Sequence, residues 1–275
     1  MIEVLAYVDV NIDRSCDRMN VYKGDIMIRL FVVSATALLF TLGTASSAFA
    51  AFYGNFSDAS GTVSFLNVSD SFGLYQAPTV NVNTLNFSPN LFQTICTNGD
   101  CGPGASISDT VVFQVDANAG QFIDDILLSE QGDTNLTEFL AGAIGVTTVT
   151  ADVFIDIFEV NSVGIPVINA FASMVFTSGG SYSLADEGSG LHGWTGSLMI
   201  DLDAILAANA VVGSATLVEI SISNTLTAFS EFGAIASIEK KDISGLAITV
   251  VPEPGVALLM GLGLAVLASR APKRD

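Results

Sequence analysis

The feature that most constrains this chain is a two-residue rhythm of apolar side chains, repeated between residues 51 and 250. Val111, Phe113 and Val115 alternate with Val112, Gln114 and Asp116. Val153, Ile155 and Ile157 alternate with Asp152, Phe154 and Asp156. Leu198, Ile200 and Leu202 alternate with Met199, Asp201 and Asp203, and Val218, Ile220 and Ile222 with Glu219, Ser221 and Ser223. A period of two sends successive side chains to opposite faces of a strand, so each run predicts a strand with one face in a core. Further strands are predicted over 61–67, 79–87, 122–129, 167–177, 234–239 and 244–250. Turn residues punctuate them at Thr97-Asn98-Gly99-Asp100, Ser178-Gly179-Gly180 and Glu187-Gly188-Ser189-Gly190. Only two segments read as helical: Asp203–Asn209, with Asp203 as N-cap, and a weak turn around Leu136–Ala141. About ten short strands with little helix predict an all-β fold, an antiparallel β-sandwich of jelly-roll type, as one domain over 51–250.

Charge sets the central segment apart from both ends. The 275 residues carry 9 Lys+Arg against 28 Asp+Glu, a formal net charge of −19. The segment 51–250 holds 21 acidic residues and only Lys240 and Lys241 as basic ones. Such a surface cannot neutralise a row of phosphates, which excludes a nucleic-acid partner. Half of the chain is apolar, which argues against intrinsic disorder. The acidic residues fall mostly at outward positions or turns, so the core need not hold buried charges.

The front of the chain has the order of a secretory signal. Arg29 precedes an apolar run, residues 30–42, and small residues follow up to Ala48-Phe49-Ala50. Ala48 and Ala50 supply the small side chains that signal peptidase requires, placing cleavage between Ala50 and Ala51. The preceding residues contain Glu3, Asp9, Asp13, Asp17 and Asp25, which do not suit a short positive n-region. Met27 begins Met-Ile-Arg-Leu-Phe, which does. The expected organisation is a mis-called extension over 1–26 and a signal peptide over 27–50.

The back of the chain carries three elements in order. Val251-Pro252-Glu253-Pro254 comes first, then the apolar run 255–269, then a basic end of Arg270, Lys273 and Arg274. As a helix the run would span about 22 Å at 1.5 Å per residue, short of the roughly 30 Å hydrocarbon core. The basic end orients such a transmembrane helix with its tail in the cytoplasm. The two prolines exclude helix ahead of it.

This order resembles the PEP-CTERM sorting domain of Gram-negative bacteria, over residues 251–275. The resemblance implies recognition by an exosortase, cleavage near Pro252-Glu253-Pro254, transient membrane contact through 255–269, and delivery through the inner membrane to the cell surface or extracellular exopolysaccharide matrix. It implies nothing about the domain ahead of the tail.

Few residues in that domain carry chemistry. Cys96 and Cys101 enclose a Gly and small polar residues, as a disulfide-closed loop would in an oxidising compartment. The one His, His192, lies in Gly190-Leu-His-Gly-Trp-Thr-Gly196 with no nucleophile motif beside it. Trp194, the single Trp, would stack on a sugar ring if exposed or fill the core if buried. Asp124, Asp125, Glu130 and Asp133 are weak calcium-ligand candidates. Asp186-Glu187, and Asp201 with Asp203 on one strand face, form further acidic groups. No metal set or other cofactor is specified, and no catalytic residue is assigned. The expected function is a non-enzymatic structural or adhesive role in a biofilm matrix. The alternatives are a carbohydrate-binding module, with or without calcium, and a secreted polysaccharide hydrolase.

Overall fold

The predicted rhythm builds strands that pair throughout in antiparallel fashion. The computed structural model describes residues 50–241 and 245–252. The expected leader segments (1–26 and most of 27–50, Ala48 included), Glu253 and Pro254, the run 255–269 and the basic end Arg270, Lys273 and Arg274 lie outside the described residues. Ala50 is exposed and Ala51 opens the first strand. Val251 and Pro252 close the last one. Among the described residues no helix is long and apolar enough to cross a membrane.

The strands fall into two pairing groups. The first runs β1 (Ala51–Ser57), β2 (Val63–Asp70), β6 (Ala105–Ala117), β13 (Ala215–Ser230), β8 (Gly145–Val160) and β9 (Val163–Ser173), in that spatial order. The short β11 (Ser181–Ser183) pairs with the far end of β8. The second centres on β7 (Ile123–Glu138). One side of β7 pairs with β12 (Gly190–Asp201), which in turn pairs with β10 (Val175–Phe176). The other side is shared end to end by β15 (Leu246–Pro252) and β14 (Ala234–Lys240). Outside these lie β4 (Thr84–Phe87) and β3 (Thr79–Asn81) on β15, and β5 (Gln93–Thr97) on β14. The partners Ala215 and Ile123 join the two groups, so the sheet is nearly closed, like a barrel.

Inward positions supply a single apolar core. Phe65, Phe113, Val153, Ile155, Ile220, Ile222, Ile126 and Leu128 are all buried. Their period-two spacing is the one legible in sequence. Asn161 and Ser162 join β8 to β9 with φ of 52° and 61°. A two-residue hairpin with left-handed backbone at both positions matches the twist of the strands it joins.

Three local expectations are corrected. The helix is α2 (Leu202–Ala208), and its N-cap is Asp201, whose side chain accepts from the Ala204 N–H at 2.7 Å. Asp203 lies inside its first turn, so Asp201 and Asp203 do not share a strand face. Leu136–Ala141 is not helical. β7 continues to Glu138, because Thr134 and Leu136 stay in inward phase, and the chain turns only afterwards. The other helix is the short α1 (Leu184–Glu187).

Candidate functional site

The outward face of β8 and β9 holds an aromatic pair between two polar pairs. Three successive outward positions on β8 are Asp152, Phe154 and Asp156. Their partners on β9 are Ser173, Phe171 and Asn169. Phe154 and Phe171 are 50% and 58% exposed, with ring centroids 5.1 Å apart. On either side the acids are held in place. Ser173 Oγ donates to Asp152 Oδ1 at 2.7 Å, and Asn169 Nδ2 donates to Asp156 Oδ1 at 2.5 Å. An open depression of about 430 Å³ adjoins the Asp152–Ser173 end and is lined by Thr150, Val175 and Gly179 among others.

The polar rows continue across the first strand group. Asp156 stands opposite Glu219 on β13, which accepts from Gln114 Nε2 at 3.0 Å. Asp152 stands opposite Ser223, which accepts from Thr110 Oγ1 at 3.3 Å. The face therefore offers two exposed rings flanked by ordered hydrogen-bonding groups. Sequence reasoning did not single out Phe154, Phe171 or Glu219. An aromatic at an outward position of an alternating run was the available signal for Phe154.

A second cluster lies in the core, and it is charged. Glu130 on β7 and Lys240 on β14 are both in inward phase, with Nζ 2.6 Å from Oε2. Asn224 Nδ2 on β13 donates to Glu130 Oε1 at 2.7 Å, which ties the two strand groups together through one carboxylate. The rings of Phe92, Tyr75 and Trp194 surround the ammonium at 5.4, 5.6 and 5.8 Å. Burial pushes the Lys240 pKa down, opposed by the charge of Glu130. Burial likewise pushes the Tyr75 phenol well up, helped by the nearby Glu130 charge.

Two more buried acids seat Tyr75 in this cluster. Asp109 Oδ1 accepts from the N–H groups of Ser71, Phe72 and Thr110, and its Oδ2 from that of Leu74. Asp70 accepts from the N–H groups of Gly73 and Tyr75 and from the Tyr53 hydroxyl. These carboxylates fold the segment after β2 so that Tyr75 enters the core. Burial raises the Asp109 pKa despite those hydrogen bonds.

The weak calcium candidates do not converge. Glu130 points into the core, whereas Asp133 points out and pairs with Lys241 at 2.9 Å. Asp125 lies at the far end of β7 opposite Asp201, with Asp124 beside it. Among the described residues no group of three or more His, Cys, Asp or Glu side chains is arranged to hold a metal ion. In α1, Asp186 Oδ2 accepts from Ser183 Oγ, and Glu187 Oε1 accepts from Ser178 Oγ. His192 Nε2 meets the Gly188 carbonyl at 3.2 Å, and its Nδ1 stands 4.0 Å from Glu187.

Trp194 is 1% exposed and is a core residue, not a sugar platform. It lies over Gly132, its cross-strand partner, where a Cβ would overlap the indole ring. Phe176 covers Gly196 in the same way. The glycines around Trp194 thus make room for rings. Cys96 and Cys101 form the expected disulfide, with Cα atoms 5.5 Å apart.

No family model and no curated protein matches the chain. Solved structures give weak likenesses. One is the enzymatically active domain of tailspike protein 4 from bacteriophage CBA120, at 12% identity and a TM-score of 0.19. It covers 74% of this chain, which spans only 20% of the tailspike's length. Another is a family 12 xyloglucanase from Bacillus licheniformis, at 13% identity and TM-score 0.22, covering 74% and 98% of the two chains. A third is endoglucanase 3 of Trichoderma harzianum from family GH12, at 13% and 0.22, covering 76% and 100%. Likenesses at this level carry no argument about fold or activity.

Proposed function

We propose that this chain is an exported surface or matrix protein whose β-sandwich domain binds polysaccharide on the outer face of β8 and β9. The carrying observation is the exposed Phe154–Phe171 pair, set between Asp152–Ser173 and Asp156–Asn169. The apolar face of a sugar ring stacks on an aromatic ring, while its hydroxyls need donors and acceptors at the rim. This face supplies both. The two strand groups, linked across one core by Asn224 and Glu130, support the sandwich reading.

The sorting signals remain part of the proposal. The strand domain starts at Ala51, at the expected signal-peptidase site, and ends at Pro252, inside the expected sorting motif. The test of sorting is the C-terminal residue of protein recovered from cells. A terminus near Pro252-Glu253-Pro254 supports exosortase processing, and an intact Asp275 rejects it.

The binding test is retention of the purified protein on immobilised neutral polysaccharides, including the host's own exopolysaccharide. Wild type is expected to be retained, and Phe154→Ala with Phe171→Ala is expected to lose retention at unchanged thermal stability. Absence of wild-type binding, or full binding by the double variant, rejects the reading. A hydrolase is the second reading, favoured by Asp156 facing Glu219 directly across β8 and β13. Like charges so placed destabilise a sheet, and paired carboxylates are what glycoside hydrolysis uses. Release of reducing ends that Glu219→Gln abolishes would select it.

A further inference from the structure

Three chemically active side chains meet in the core away from water. Glu130, Asn224 and Lys240 are each 2% exposed or less. Lys240 Nζ lies 2.6 Å from Glu130 Oε2, and Asn224 Nδ2 lies 2.7 Å from Oε1. An amine and a carboxamide are therefore held against the two oxygens of one carboxylate. Phe92, Tyr75 and Trp194 close off the amine. Asn224 Oδ1 has no hydrogen-bond partner, and Nζ has none beyond its ionic contact with Glu130.

As a simple ion pair this arrangement is poorly satisfied. A buried ammonium needs several acceptors to offset its lost hydration, and here one carboxylate oxygen faces it. The apolar walls disfavour the ammonium, and Glu130 Oε2, 2.6 Å away, is the acceptor within reach of a proton that Nζ gives up. Burial lowers the Lys240 pKa in the same direction. A neutral amine is a nucleophile, and a neutral carboxylic acid beside it is a general acid.

We propose that Lys240 and Asn224 join autocatalytically through an isopeptide bond, with Glu130 as the proton shuttle. A half-turn of the carboxamide, whose O and N occupy similar volumes, places Oδ1 against the protonated Glu130. Nζ then attacks Cγ, and the acid polarises Oδ1 as the tetrahedral carbon forms. Glu130 collects the proton from Nζ and passes one to Nδ2. The Cγ–Nδ2 bond breaks and ammonia leaves, taking the remaining proton as ammonium, so Glu130 returns to carboxylate. No oxidant, cofactor or second substrate enters the balance. The product replaces the buried ammonium with an amide N–H that donates to Glu130. It also ties β13 to β14, and hence one strand group to the other, by a covalent bond through the core.

The test is the mass of the reduced protein recovered from cells, compared with the sequence between its measured termini. The expected mass is lower by one ammonia. After denaturation and chymotryptic cleavage at Phe229 and Phe232, the fragments carrying residues 224 and 240 should remain one species. Lys240→Ala and Glu130→Ala should each restore the full mass. Asn224→Asp should lose water instead, with the same two fragments joined. A full-length mass in wild-type protein whose Trp194 emission shows a folded core overturns the proposal. So does loss of water from wild type with residues 130 and 240 joined, because Glu130 is then the acceptor. The wild-type measurement decides the matter even if a variant fails to fold.

Discussion

Lys240 Nζ stands 2.6 Å from Glu130 Oε2 with neither side chain exposed to solvent, whereas the neighbouring Lys241 pairs with Asp133 at the surface. Adjacent lysines thus meet opposite environments. Breaking a buried pair from one side leaves the other charge stranded, at about 3–5 kcal/mol. An exposed pair contributes about 0.2–1 kcal/mol. Urea unfolding should therefore show Lys240→Ala losing several times the stability lost by Lys241→Ala, and the loss of a covalent link would add to the first figure. The double change Lys240→Met with Glu130→Leu should recover most of the ionic part. Equal losses for Lys240→Ala and Lys241→Ala would show that the pair is not buried in solution.

The closeness of Trp194 to Gly132 makes a second prediction. A Cβ at residue 132 overlaps the indole and also the Glu239 carbonyl, which is backbone and cannot swing away. Overpacking of this kind typically costs about 1–3 kcal/mol. Gly132→Ala should lower the unfolding midpoint by an amount in or above that range. The emission of the single Trp should move to the red as the ring is displaced. An unshifted spectrum at wild-type stability would contradict the packing.

Asp109 should leave a signature in the pH dependence of stability. Its folded pKa is raised above the ordinary 3.8, with burial as the main cause. An acid raised in this way contributes stability that is full below its unfolded pKa and is lost as pH rises through its folded pKa. Across that window wild type should lose stability relative to Asp109→Asn, which does not titrate. The variant should nevertheless be weaker overall, because one amide cannot accept from both Leu74 and the Ser71, Phe72 and Thr110 group. Urea midpoints from pH 3 to 7 check the difference in slope. Parallel curves would refute it.

The Cys96–Cys101 bond closes a loop of only a few residues. The chain-entropy argument gives such a loop about 2 kcal/mol. Reduction, or paired Cys96→Ser and Cys101→Ser changes, should lower stability by about that amount without unfolding the core. Cys96 is itself buried, its Sγ 3.1 Å from the Ser230 N–H. Collapse of the whole domain on reduction would mean that the loop is more than a local staple.

The strands over 111–115, 153–157 and 218–222 were legible because local alternation alone sets which side of a strand is buried. The capping of α2 was legible to within two residues, since Asp201 and Asp203 are equally good caps and only the phase of buried Leu202 and Leu206 decides between them. Phase also held an unused clue. Ile126, Leu128 and Glu130 share one parity, as do Ala236, Ile238 and Lys240, so the buried stretch of each strand carried one charge on its inward side. That the two charges meet was not legible, because it depends on β14 pairing with β7 across a long stretch of chain. The same holds for Phe154 and Phe171, which the β8–β9 hairpin register places side by side.

Lys240 is hidden and Lys241 is engaged with Asp133, so no unengaged lysine or arginine faces water between residues 51 and 250. The segment 51–250 therefore presents a surface dominated by one sign of charge. At physiological salt, screening confines repulsion between copies to roughly 8 Å. Dilution of the medium would lengthen that reach and push neighbouring copies apart. Ionic strength thus sets how closely copies of this segment can approach one another.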